Sequence, residues 1–339
     1  MLEKILNNIY LSNIDKESKK KLIEDSKYLY SNGLPIFLDE QHVNLVFNIK
    51  DNIKSFVEKS TSHHFIKKHN GDFRAVFVPS EHLKEIQNWL LENILEQNII
   101  SNSTYSFVKG KSIVDHALNH IYQNDFWLVT FDIKDFFPSI RKEAVKNIFL
   151  GLGYSSEVSN AFSSLCCIKN NLVQGFPTSP IISNIYLNEL DLVLQEFCQS
   201  HNISYSRYAD DLAFSREGEK ISKRLYDKLF QLVFYTLKNY GLKLNENKIK
   251  IYDYNHPKKL TGIMLTTDGI KVPLKIKKKI LKELYYCEKY GVEDHLKKAG
   301  RLELANYKGY MYGIAGFIRM IDPQTGWDLF RRLDNIYWG

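Results

Sequence analysis

The chain has only four cysteines, Cys166, Cys167, Cys198 and Cys287, and they form neither a CxxC pair nor a zinc spacing. A disulfide scaffold and a zinc ribbon are thereby excluded, and buried thiols in a reducing compartment are expected. No apolar run approaches the ~18 residues of a membrane span, and Met1 opens a charged, amphipathic segment rather than a signal peptide. No membrane partner is expected, and the cytoplasm is the expected location. Two familiar ligand motifs are also missing. Lys109-Gly110-Lys111-Ser112 sets a glycine between lysines ahead of a helix and could grip phosphate, but it lacks the Walker spacing. His116 and His120 share a helix face at i and i+4, but no glutamate completes an HExxH pattern, which argues against zinc.

What is present points to a nucleic acid. The 339 residues allow two or three subdomains, and 44% hydrophobic content fits an ordered core. The net charge of +7 is modest alone. Beside 46 Lys and Arg, however, 21 Tyr and 20 Phe favour a polyanion with exposed bases.

Two acidic stretches carry the chemistry. Ser204 to Ser215 reads as a β-hairpin with Asp210 and Asp211 at or near its turn. An Asp-Asp pair at a turn is ordinarily just solvated. Trp127-Leu128-Val129-Thr130-Phe131-Asp132-Ile133, though, is a β-rich apolar run with an acid inside it, and a carboxylate is costly to bury alone. Three carboxylates on neighbouring strands suit divalent cations and phosphoryl transfer.

Elsewhere residues 1–60 read as helical. Phe65 to Pro79 alternates as a hairpin turned by Asn70-Gly71, with Arg74 on its second arm. Ser80 should cap a helix whose apolar face is Leu83, Ile86, Leu90 and Leu91. Pro177 and Pro180 precede a single long helix expected over 181–200, with Ile182, Ile185, Tyr186, Leu190, Val193, Leu194 and Phe197 on its buried face. A second helix, 221–240, should end at Gly241 in a left-handed cap. Residues 258–265 read as one strand, and 271–298 as a strongly basic helical stretch.

Tyr208-Ala209-Asp210-Asp211 together with Phe131-Asp132-Ile133-Lys134-Asp135-Phe136-Phe137 resembles the signature of reverse transcriptases. Gln174-Gly175-Phe176-Pro177-Thr178-Ser179-Pro180 resembles the QGxPxSP block of that family. Gly241 to Lys248 and Asn70 to Ser80 resemble its later lysine block and its first fingers block. The resemblance implies an α+β fold with right-hand polymerase architecture: fingers, a palm with a split βαβ-like antiparallel sheet plus helices, and a helical thumb. It implies an N-terminal helical region (1–60), fingers (61–127, with part of 141–175), palm (128–265) and thumb or RNA-binding region (266–339). It further implies two Mg²⁺ ions, with Mn²⁺ as substitute, on Asp132, Asp210 and Asp211 and the Ile133 carbonyl. Arg74, Gln174 and Lys248 become candidate dNTP contacts, and Phe137 becomes the ring beneath the sugar that disfavours a 2′-OH.

Two short elements resemble the retron branch of the family. His116-Ala117-Leu118-Asn119-His120 matches NAxxH at Ala117 and His120, with His116 in place of Asn. Leu260-Thr261-Gly262 matches VTG with Leu for Val. A compact polymerase with no nuclease segment after the thumb is expected on the same ground. The resemblance implies a cognate structured non-coding RNA, priming from a guanosine 2′-OH, a branched RNA–DNA product, and a separate effector protein in anti-phage defence. Lys109, Lys111, His120, Thr261, Gly262, Lys275, Lys277, Lys278, Lys279 and Lys282 are the expected RNA contacts. An abortive-infection-type reverse transcriptase and an RNA-binding scaffold restraining a toxin are the alternatives.

Overall fold

The structure is a computed structural model that describes residues 2–67, 71–300 and 306–338. The N-terminal stretch is helical as expected, in segments Leu2–Leu11, Lys16–Ser31, Glu40–Val46 and Ile53–Lys59. Asp15, Asp39 and Asn52 cap the last three through side-chain oxygens on free backbone N–H groups. Strands β1 (Thr61–Lys67) and β2 (Phe73–Pro79) form an antiparallel hairpin exposed along much of its length. Asn70, half of its expected turn, lies outside the described residues. Ser80 then accepts from Leu83 N and starts the helix Glu81–Leu90, which widens into one π-turn at Leu91–Leu95.

The sheet that carries the acids is built around β3 (Phe126–Lys134). Its near-continuous apolar run is buried on both sides, as a central strand requires. After the short hairpin β4 (Cys167–Ile168) and β5 (Asn171–Leu172) come β6 (Ser204–Tyr208) and β7 (Asp211–Glu217). β8 (Lys243–Leu244) and β9 (Lys250–Tyr252) follow the helix Lys223–Asn239. The strand order is β6-β7-β3-β8, with β9 also pairing β3, and every one of these pairings is antiparallel. The result is a mixed fold of helices and several sheets.

Four expectations need correction. The single helix over 181–200 is two, Ser179–Tyr186 and Asn188–Ser200, because Leu187 leaves helical geometry. There the Asn188 side chain accepts from Ser101 N instead of facing solvent. Val193, expected on the buried face, is exposed. The expected strand over 258–265 is a hairpin, β10 (Lys258–Leu260) and β11 (Ile263–Thr266), because Thr261 and Gly262 both take positive φ and reverse the chain. β12 (Gly269–Lys271) completes that small sheet. The basic stretch 271–298 breaks at Gly291 into helices Leu274–Tyr290 and Val292–Lys298.

The Lys223–Asn239 helix does end as expected, with Gly241 at φ 65° and Leu242 N returning to Leu237 O. The main core joins the N-terminal helices to the central sheet through Trp127, Phe131, Phe162 and Phe214. A separate core, with Ile280, Met311, Ile318 and Leu329, holds the C-terminal helices Leu274–Tyr290, Tyr307–Ile321 and Pro323–Asp334 together. A third cluster of Ala117, Phe126, Ala213, Leu260 and Ile263, with Phe317 packed on it, joins the two. All four cysteines are buried free thiols. Among the described residues no helix is long and apolar enough to cross a membrane.

Candidate active site

The register of the central sheet sets Asp132 of β3 directly opposite Asp211 of β7, so their side chains leave the same face as close neighbours. Asp210 is the second residue of the β6–β7 turn, and its carbonyl accepts from Ile133 N at 2.9 Å, which ties the turn to β3. Three carboxylates in one place repel each other. Burial first, then the charges of Asp210 and Asp132, push Asp211 up to about 7. Asp210 is raised as well, by burial and then by Asp132. Asp132 is the neutralised member: Asn245 Nδ2 donates to Oδ1 and Lys248 Nζ to Oδ2, both at 2.8 Å. Burial opposes the Lys248 charge, but the hydrogen bond to Asp132 and the three aspartates raise its ammonium above the usual range. Lys248 is thus an ion-pair partner of Asp132 here, with its side chain still largely exposed.

Of the expected nucleotide contacts, Lys248 meets this sheet at Asp132, whereas Gln174 is tied to the β1–β2 hairpin that bears Arg74. Gln174 O accepts from Phe77 N at 2.8 Å, which docks the Gln174-Gly175 turn on the strand that bears Arg74. Gly175 has φ +112°, and a Cβ there would collide with the Phe77 carbonyl, so this position demands glycine. Arg74 is exposed, and its charge is the smallest of the influences on Asp210, acting to lower it against burial and Asp132. Phe137 is half-buried, with Phe136 and Phe107 around its ring. Ile133 is buried opposite Leu244.

Sequence reasoning missed a wholly buried ion pair behind the turn. Arg207 and Asp191 are 0% exposed and meet at 2.7 Å. Tyr205 OH and Thr104 Oγ1 also donate to Asp191, at 2.7 and 2.9 Å. Thr104 belongs to the polar segment 101–106, whose Ser103, Thr104 and Ser106 are all buried. The only signal was an arginine at the middle of an otherwise inward-facing strand.

The expected RNA contacts divide. His120 is corrected to an interior role: it is fully buried, with its two ring nitrogens 2.6 Å from Ser215 Oγ and Ser206 Oγ. Lys111 is also largely committed, donating to Asn102 O and Thr104 O at 2.7 and 2.8 Å, whereas Lys109 is exposed. Lys277 pairs with Asp322 at 2.7 Å, and this bond holds Asp322 down at about 2. Lys275, Lys278, Lys279 and Lys282 are exposed at i, i+3, i+4 and i+7, one face of their helix. Thr261 and Gly262 are half-buried at the β10–β11 turn, where Thr261 Oγ1 lies 3.4 Å from His116 Nδ1. The two short retron-like elements therefore touch in space.

Among the described residues no group of three or more His, Cys, Asp or Glu side chains is closed around a metal position. The donor chemistry nevertheless fits a divalent cation, because two of the three carboxylates are held up by burial and mutual repulsion that such an ion relieves.

The reverse transcriptase (RNA-dependent DNA polymerase) family matches over residues 66–265. The retron Ec86 reverse transcriptase of Escherichia coli is 32% identical over 226 residues, 66% of this chain and 69% of that protein. The retron Ec73 reverse transcriptase of the same species is 32% identical over 259 residues, 71% of this chain and 80% of its own. Among solved structures, apo telomerase from Candida tropicalis, truncated from its C-terminal domain, aligns at TM-score 0.45 and 14% identity, over 62% of this chain and 54% of that one. With the acids, the glycine-dependent turn and these relatives in hand, the chain belongs to the retron-type bacterial reverse transcriptases and is an RNA-directed DNA polymerase, a nucleotidyltransferase.

Proposed function

We propose that this polymerase binds its own structured non-coding RNA, starts from a guanosine 2′-OH within it, and copies part of it into DNA. The product is a branched RNA–DNA molecule, used with a separate effector protein in anti-phage defence. The observation that carries the catalytic part is the placement of Asp132 opposite Asp211 with Asp210 on the adjoining turn. In this reading residues 61–127, with part of 141–175, are fingers, 128–265 the palm and 266–339 the thumb.

Asp132, Asp210 and Asp211, with the Ile133 carbonyl, would hold two Mg²⁺ ions, or Mn²⁺ in their stead. Bound there, such ions acidify the primer hydroxyl and neutralise the triphosphate. The chain's own groups do the rest. Arg74 offsets phosphate charge from the exposed hairpin, and Lys248 does so from its place beside Asp132. Gln174, fixed by its backbone bond to Phe77, orients the nucleotide. Phe137 presents a ring beneath the sugar and disfavours a 2′-OH. The exposed face of Lys275, Lys278, Lys279 and Lys282 follows the RNA backbone, where each phosphate contact adds to the salt dependence of binding.

Two measurements test the reading. Asp210→Asn should abolish DNA synthesis while the chain still co-purifies with RNA, and wild-type synthesis would remove the aspartates from the mechanism. Expression with flanking DNA, followed by sequencing of the bound nucleic acid before and after debranching, should return one short DNA joined 2′–5′ to one RNA. Heterogeneous or protein-linked DNA would indicate the abortive-infection type, and RNA alone a scaffold.

A further inference from the structure

Ala209 is the first turn residue between β6 and β7, immediately before Asp210, and it sits at φ 54°. A lone alanine disfavours that left-handed conformation, because its Cβ crowds the backbone. Two side chains hold it from opposite ends. Ser106 Oγ accepts from Ala209 N at 2.7 Å, and Arg207 Nη1 donates to Ala209 O at 3.3 Å.

Both holders are themselves immobilised. The Arg207 guanidinium has five N–H groups, and each has a partner, all buried except the half-buried Ala209. Nε donates to Asp191, and Nη2 to Asp191 Oδ2 and Thr104 Oγ1 at 2.7 and 3.0 Å. Nη1 donates to Asn184 Oδ1 at 3.1 Å as well as to Ala209 O. Asn184 in turn donates from Nδ2 to Ser106 O at 2.9 Å, which closes the ring between the two holders. Lysine could not replace this arrangement, since a single ammonium lacks the planar fork.

We propose that Ser106 and Arg207 are positioning residues that clamp Ala209 in the left-handed conformation and thereby set the direction of Asp210 and Asp211. The proposal rests on reading those aspartates as the reacting pair. An alanine under a clamp has one conformation available, whereas glycine at the same position reaches both signs of φ freely. The clamp thus converts a strained residue into a fixed one, at the point where a small rotation moves a carboxylate.

The test is steady-state DNA synthesis by the full chain on an RNA template with an annealed DNA primer. Ser106→Ala removes one holder and leaves the ion pair intact. It should lower kcat about tenfold with the dNTP KM little changed, the loss of roughly one hydrogen bond's worth of alignment. Ser222→Ala, which removes the cap of the Lys223–Asn239 helix and touches none of the ring, serves as a stability control and should lower the melting temperature without lowering kcat. Adding Ala209→Gly to Ser106→Ala should restore much of the rate, because glycine takes positive φ without a clamp. An unchanged kcat in Ser106→Ala, or no recovery with the glycine, would overturn the proposal. Asp210→Asn run alongside separates the two levels: if it is inactive while Ser106→Ala is fully active, only the clamp fails. If Asp210→Asn is itself active, the aspartate reading fails.

Discussion

The β6–β7 and β10–β11 turns each put a residue other than glycine at positive φ, Ala209 at 54° and Thr261 at 43°, and they support it very differently. Ala209 is held at both its N–H and its carbonyl by buried groups that belong to a closed hydrogen-bond ring. Thr261 is β-branched, so its conformation is the more strained of the two. Among the described residues its side chain has one long hydrogen bond, 3.4 Å to His116 Nδ1, and His116 Nε2 is buried with no partner. A Cβ on Gly262 beside it would meet the Phe317 ring at ordinary contact distance. The first turn is strained and rigidly determined; the second is strained and loosely determined. On the function proposed above, rigidity sits where the carboxylates must not move, and tolerance sits at a half-buried turn proposed to meet RNA.

The largest way to break this contrast is at Arg207. Arg207→Met leaves Asp191 as a buried carboxylate facing Thr104 and Tyr205 without its cation, and should cost about 3–5 kcal/mol of unfolding free energy. Denaturant unfolding of the purified chain measures it. A loss below about 1 kcal/mol would mean that the ring is not what determines the first turn.

Much of this site was legible before any coordinates, and the reasons are local. Asp132 stands inside an apolar β run, Asp210 and Asp211 stand between two strand-like segments, and Gln174-Gly175 marks a turn that only glycine can make. What stayed hidden depends on distant partners. Residues 101–106 are serine- and threonine-rich and carry no motif of their own, yet Thr104 bridges to Arg207 and Ser106 meets Ala209, each more than a hundred residues on. His120 read as a surface contact because the two hydroxyls that enclose it come from β6 and β7. The β10–β11 turn was missed since a threonine at positive φ contradicts its own propensity, and Lys258 to Leu265 therefore scanned as one strand.

His116 offers a second, smaller test, through pH. Burial pushes its imidazole down from 6.5 to about 3, and His120 shifts the same way by burial and then by His116 itself. Its other neighbours are the rings of Tyr105 and Tyr208, with Lys111 over the Tyr105 face. Both histidines are thus neutral when folded, whereas the unfolded chain takes up protons below 6.5. Stability is full above 6.5 and falls as the pH drops toward the folded values. His116→Asn removes one such proton and should flatten that fall by about 1.4 kcal/mol per pH unit on its acid side. Denaturation curves at a series of pH values should diverge below 6.5. Wild type and variant falling in parallel would show that His116 is not buried as a neutral ring.

The smallest effect is the most informative about the second turn. Thr261→Asn replaces a β-branched residue at φ 43° with one that tolerates the left-handed region, and the turn keeps Gly262 behind it. Relief of strain should stabilise the chain by about 0.5–1 kcal/mol, since the contact given up is a single bond at the long end of the range. The same change at a clamped turn would gain nothing, because the ring around Ala209 already offsets its strain. A stabilised variant that also binds RNA less well would show that Thr261 is retained for recognition at a cost in stability. A destabilised variant would show instead that the His116 contact anchors the turn, and the distinction between a determined turn and a tolerated one would disappear.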